Sequence, residues 1–118
     1  MNEEIEKIFN GFLKVKNKNI PVYYAYFVEY GDPEAFITYI EAEEEPFFST
    51  DDDIDETQIR LDFSVYSKKS NRKIIEELKN KLKQNNYQWI GNSSDLYEPD
   101  TKYHHKVVSF YKIKEERI

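Results

Sequence analysis

Apolar positions along the chain follow two different periods. Near the start, Ile5, Ile8, Phe9, Phe12 and Leu13 fall at i, i+3, i+4, i+7 and i+8. That is one face of a 3.6-residue repeat, and it predicts a helix over residues 3–14. Asn2 is placed to cap it, and Glu3 and Glu4 suit the positive end of its dipole. Gly11 weakens it slightly, and the polar run 14–19 ends it. Residues 21–30 (PVYYAYFVEY) are β-rich, with Pro21 suited to a strand start or an edge. The turn signal Gly31-Asp32-Pro33-Glu34 leads into a second strand over 35–44, so the two read as an antiparallel hairpin.

Residues 45–55 hold five acids and Pro46, which suits an exposed loop. Over 57–67 the alternation is clean. Thr57, Ile59, Leu61, Phe63 and Val65 face a core, Gln58, Arg60, Asp62 and Ser64 face out, and Tyr66 is an apolar exception. Ser70 caps a second helix over 71–85 that buries Ile74, Ile75, Leu78 and Leu82. A short strand at 87–90, a loop at 91–100 and a long strand at 101–114 complete the chain. The order α-β-β-β-α-β-β predicts a single α+β domain over residues 1–118. Its mainly antiparallel sheet is covered by two helices in two layers.

Length and composition fit that reading. The chain has 118 residues, too few for two well-cored domains, and its 18 Tyr and Phe plus one Trp supply ring area for a small core. No run of 18 apolar residues spans a membrane, and the acidic start is unlike a secretory signal, so a cytoplasmic location is expected. Zero cysteines exclude disulfides and thiol chemistry.

Charge is distributed unevenly along the chain. The net charge is −6, a sign that repels phosphates and makes specific nucleic-acid binding unexpected. Nine acids and no base occupy 41–56: Glu41, Glu43, Glu44, Glu45, Asp51, Asp52, Asp53, Asp55 and Glu56. Seven bases occupy 68–83, namely Lys68, Lys69, Arg72, Lys73, Lys79, Lys81 and Lys83, against Glu76 and Glu77. One acidic and one basic pole on a small domain suit head-to-tail contact between copies, a heterologous geometry that closes into rings.

Catalytic and metal chemistry find little to work with. Asp51-Asp52-Asp53-Ile54-Asp55 contains D-x-D-x-D, but Glu56 and Asp62 stand where a calcium loop needs its glycine and its final glutamate. His104 and His105 are strand neighbours, so they point to opposite faces and cannot share one metal. No nucleophile motif and no glycine-rich phosphate loop occurs. No enzyme, cofactor or metal is expected.

The second half carries a family pattern. The stretch Asp55–Leu82 (DETQIRLDFSVYSKKSNRKIIEELKNKL) is followed by Tyr87-Gln88-Trp89 and by DLYEPDTKYHHKVVSFYKIKEE over Asp95–Glu116. Together they resemble the small tail-completion proteins of long-tailed bacteriophages and prophages. The matching elements are Val65-Tyr66-Ser67-Lys68, the helix 71–85, Tyr87–Trp89, the loop Asp95–Thr101 and His105-Lys106. The resemblance implies a tail terminator, also called a tail-to-head joining protein. Six copies would close a ring on the head-proximal end of the tail tube, stop its growth and meet the neck of the head. It implies no activity or cofactor, and as partners further copies of itself, the tail tube protein and connector proteins. DNA would pass through the ring, and the location would be the virion neck after assembly in the host cytoplasm.

On that reading the lateral contacts would use Glu43, Glu44, Glu45, Asp51, Asp52, Asp53 and Asp55 against Lys69, Arg72, Lys73, Lys79 and Lys83. Leu96 and Tyr97, between the acids Glu98, Asp100 and Asp95, would form a docking loop with aromatic anchors. The competing readings are an acidic inhibitor that mimics DNA and a neighbouring neck or head-completion protein.

Overall fold

The computed structural model describes the backbone of residues 3–24, 33–48 and 54–117, and the side chains of 3–24, 33–41 and 59–112. The elements are α1 (Glu3–Phe9), β1 (Phe12–Val15), β2 (Lys18–Tyr24), β3 (Ala35–Phe48), β4 (Ile54–Ser67), α2 (Arg72–Gln84), β5 (Gln88–Asn92), β6 (Leu96–Glu98) and β7 (Tyr103–Arg117). They form one seven-stranded sheet in the order β1-β2-β3-β4-β7-β5, with β6 also on β7. Every pairing is antiparallel except β2 with β3. The α+β class and the mostly antiparallel sheet agree with the sequence, although two strands, β1 and β6, were not anticipated.

Cross-strand register assigns the two faces. Ile37 and Val65 lie side by side, as do Tyr39, Phe63 and Val108, and then Leu61 and Phe110. All seven are buried beneath the helices. Ile5 and Phe9 of α1 and Ile74, Ile75, Leu78 and Leu82 of α2 complete this core. Phe63 is its centre, with ring centroids 5.9 Å from Phe9, 5.6 Å from Tyr39 and 5.7 Å from Phe110. The opposite face carries the apolar exception Tyr66, which stacks between Phe36 at 4.5 Å and His105 at 4.2 Å.

The first helix is shorter than its periodicity predicts. Asn10 and Gly11 adopt φ of 51° and 92°, so the chain turns back and Phe12 opens β1. Gly11 is therefore the terminator of α1 rather than a weak point inside it. Leu13 remains buried because alternate strand positions face the core just as the helical spacing would have made it do. The polar run 14–19 is likewise a tight hairpin, Val15 facing Lys18 across Lys16-Asn17, with Lys16 at φ 56°. Asn2, residues 25–30 and the Gly31-Asp32 turn lie outside the described residues.

The anticipated antiparallel hairpin of 21–30 with 35–44 is instead a parallel pairing, Val22 with Ile37 through Tyr24 with Tyr39. Pro21 is tolerated because the β1 ladder ends at its register and the β3 ladder begins at Val22. The second helix starts one residue later than anticipated. Asn71 occupies the cap position without capping, and Ser70 Oγ accepts from the Arg72 N–H at 3.4 Å. At the other end Asn86 takes φ 68°, and the Asn85 N–H and Tyr87 N–H both reach the Leu82 carbonyl at 3.0 Å.

The largest correction concerns 45–55. Residues 45–48 continue β3 and 54–55 begin β4, so most of the anticipated loop is strand, with Glu45 opposite Gln58 and Phe48 opposite Asp55. At about 3.3 Å per residue these 14-residue strands run roughly 46 Å. The 13-residue α2 covers only about 20 Å. The long strands thus outrun the helices, and the far parts of β3, β4 and β7 form a three-stranded arm. The chain extends 52 × 26 × 24 Å, and its radius of gyration of 15.7 Å exceeds the roughly 13.5 Å of a compact domain this size.

Candidate functional site

The acidic and basic segments separate along this long axis. Glu43, Glu44 and Glu45 lie on the arm part of β3 and Asp55 and Glu56 on that of β4, while Asp51, Asp52 and Asp53 lie outside the described residues. Asp62, which a calcium loop would have used as its last ligand, is a strand residue that accepts from Ser109 Oγ at 2.7 Å and Arg60 Nε at 3.3 Å.

The basic helix does not present one continuous patch. Lys79 lies 3.8 Å over the Trp89 ring, and Lys83 lines the cleft beside Tyr87 and Trp89. Lys68 faces Tyr103, and Lys73 pairs with Glu76 at 3.7 Å. Lys69 and Lys73 instead join Lys16 and Lys18 around a cavity of about 470 Å³ between the β1–β2 turn and the start of α2. Buried Val15, Ile20, Ala35 and Ile74 line its floor, and the four exposed lysines line its rim. Lys16, Lys18 and Glu34 were missed from sequence. The run Lys14-Val15-Lys16-Asn17-Lys18 was the available signal, and it read as a helix-ending stretch.

Glu34 is the acid at this rim. Lys18 Nζ donates to it at 3.2 Å and Lys69 Nζ lies 3.4 Å away. The Lys18 hydrogen bond, with help from Lys69, holds the Glu34 carboxyl below its ordinary range. Glu34 and Glu76, which pairs with Lys73, still leave the four lysines with an excess of positive charge. The first turn of α2 adds to it, because it contains no acid and carries Arg72 and Lys73 at the positive end of the helix dipole.

At the same end, Asp95 ties the docking loop down. Its Oδ1 accepts from Asn71 Nδ2 at 2.9 Å and its Oδ2 lies 3.3 Å from His104 Nδ1. The Asn71 bond, then His104 and Lys106, hold its carboxyl below the usual range. Leu96, Tyr97 and Glu98 are strand β6 rather than loop, while Asp100 sits in the turn that follows. Between β5 and β6, the Ser93 N–H donates to the Val107 carbonyl at 2.8 Å and Ser93 Oγ accepts from the Val107 N–H at 2.9 Å. The edge is therefore one interrupted strand. It carries exposed Trp89, Ile90, Leu96 and Tyr97, and Tyr97 leans on His104 with ring centroids 4.9 Å apart.

The histidines point to opposite faces. His105 is stacked on Tyr66, its Nε2 is buried without a hydrogen-bond partner, and burial holds its pKa below the ordinary value. Among the described residues no cluster of three metal-ligating side chains forms, and no helix is long and apolar enough to cross a membrane. No family model and no curated protein sequence matches the chain.

Proposed function

We propose that this chain is a structural subunit of the ring that ends the tail tube of a long-tailed phage or prophage and joins the tail to the head. The observation that carries the reading is the polarity of the molecule. An acid-rich arm lies at one end of its 52 Å axis and a lysine-rimmed cavity at the other. Unlike surfaces at opposite ends favour head-to-tail contact, and a constant rotation between copies closes a ring. The exposed Leu96 and Tyr97, half uncovered at 55% and 54%, supply anchors for the tube or neck protein. The lysine cavity argues against an inhibitor that imitates DNA, whose binding surface is acidic throughout.

The test is deletion of the gene in an inducible phage or prophage, followed by electron microscopy of the lysate. Overlong tails detached from filled heads are expected. Normal virions would sink the proposal.

A further inference from the structure

The polarity of the chain extends to a specific fit. We propose that the cavity between the β1–β2 turn and the start of α2 is a socket, and that its occupant is the acidic arm of a second copy of this chain. The proposal rests on the ring reading only in requiring that copies associate.

Three observations converge on that occupant. First, the cavity has a buried apolar floor beneath exposed Lys16, Lys18, Lys69 and Lys73, and about 470 Å³ of room. That combination accepts an extended segment with both acidic and apolar residues more readily than it accepts a bare ion. Second, α2 begins with Arg72 and Lys73 and no acid, so incoming carboxylates would offset an unfavourable charge at the helix start. Third, the β3 and β4 strands of the arm supply the matching chemistry, whereas its β7 strand mixes Lys114 and Arg117 with Glu115 and Glu116. Residues 41–56 hold nine acids and no base, interspersed with Pro46, Phe47, Phe48 and Ile54.

Within one chain the two cannot meet. Ala35, at the cavity, and Phe48, at the far end of the arm, are the two ends of one strand that spans up to roughly 43 Å and is interrupted only by the register shift between Glu41 and Glu43. The contact is therefore between copies, and its repetition is head-to-tail. Glu34 already engages Lys18 and Lys69, so it marks where an acidic group sits between these lysines.

The chain contains no cysteine, so introduced thiols are unique. Asn17→Cys, which keeps all four lysines, is mixed with Glu45→Cys and oxidised gently at high protein concentration. The mixed disulfide is expected at least tenfold above the two homodimers combined. It should fall to the statistical share when Lys16, Lys69 and Lys73 are all changed to Glu in the Asn17→Cys chain. Changing Glu43 and Glu44 to Lys in the other chain should restore it, which shows that the lysine variant is folded. A statistical mixture at the outset, or a mixed disulfide indifferent to the lysine changes, would overturn the socket. The two readings also fail separately. Normal tails carrying the triple lysine variant would remove the socket and leave the ring. Normal virions after gene deletion would remove the ring and leave the disulfide result standing.

Discussion

The two halves of the long strands are built on opposite rules. Where α1 and α2 cover the sheet, the strands alternate Leu61, Phe63 and Val65 with Asp62 and Ser64, and the inward set is fully buried. Beyond the helices the same strands continue as Glu43-Glu44-Glu45-Pro46 and Asp55-Glu56, joined in register by backbone hydrogen bonds. The first half is ordered by apolar burial, and the second by strand pairing that runs on from it. A sheet once nucleated can thus carry a sequence that would not form a strand alone.

The contrast predicts where substitutions will hurt. Phe63→Ala removes the ring at the centre of the covered half and should cost about 3–5 kcal/mol, a large share of the roughly 5–15 kcal/mol that holds a domain folded. Changing Glu43 and Glu45 to Gln on the arm should move stability by less than about 0.5 kcal/mol. Urea denaturation followed by Trp89 fluorescence measures both, and similar costs for the two would erase the distinction.

Gly11→Ala tests what holds α1 over the sheet. No atom lies within 4 Å of the position a Cβ would take, so the penalty is conformational alone, set by φ of 92°. About 1–2 kcal/mol is expected, with the unfolding slope unchanged. A neutral result would show that α1 is not pinned by this turn.

Tyr39 lies in the covered half, close to the arm. Its hydroxyl is buried without a hydrogen-bond partner, and burial, with Glu6, Tyr24 and Glu41 nearby, pushes its pKa up to about 12. Tyr39→Phe should therefore leave stability unchanged or raise it by up to about 1 kcal/mol. A loss of more than that in the same denaturation assay would mean that the hydroxyl is satisfied in solution.

The smallest effect belongs to the uncovered face. Burial lowers the His105 pKa against the opposing pull of Glu98 and Asp95, so the folded state prefers the neutral ring. Its contribution is complete above pH about 6.5, is lost as pH falls towards the lowered folded value, and is constant below that. The denaturation midpoint should drop more between pH 8 and pH 5 in the parent chain than in His105→Phe. Equal drops would show that the imidazole is solvated.

These differences also explain what could be read in the residues. Alternation along 57–67 and the helical spacing of Ile74, Ile75, Leu78 and Leu82 report burial directly, and both elements were legible. The arm was not, because glutamate and proline lower the local preference for a strand, and only the neighbouring pairing overrides it. Phe12 and Leu13 fitted a helix because two periods coincide over so short a stretch, and only the left-handed Asn10-Gly11 pair decides between them. Lysines were visible as a charged helix face, but the cavity was not. It needs Lys16 and Lys18 brought beside Lys69 and Lys73 by a hairpin about fifty residues away in the chain.

The interrupted edge has a consequence for the molecule at high concentration. Open strand edges invite foreign chains to add on and seed fibrils. At the covered end, β1 offers four residues, and the β5–β6 edge is broken by a bulge between Trp89 and Gly91 and by the Ser93 splice, so neither is a long straight template. On the arm, β3 has a register shift between Glu41 and Glu43 and carries Pro46, and the glutamates and aspartates of β3 and β4 add like-charge repulsion. Acid would silence that repulsion and leave the bulges, the splice and Pro46 untouched, so shape guards both ends of the molecule and charge is an addition at the arm alone.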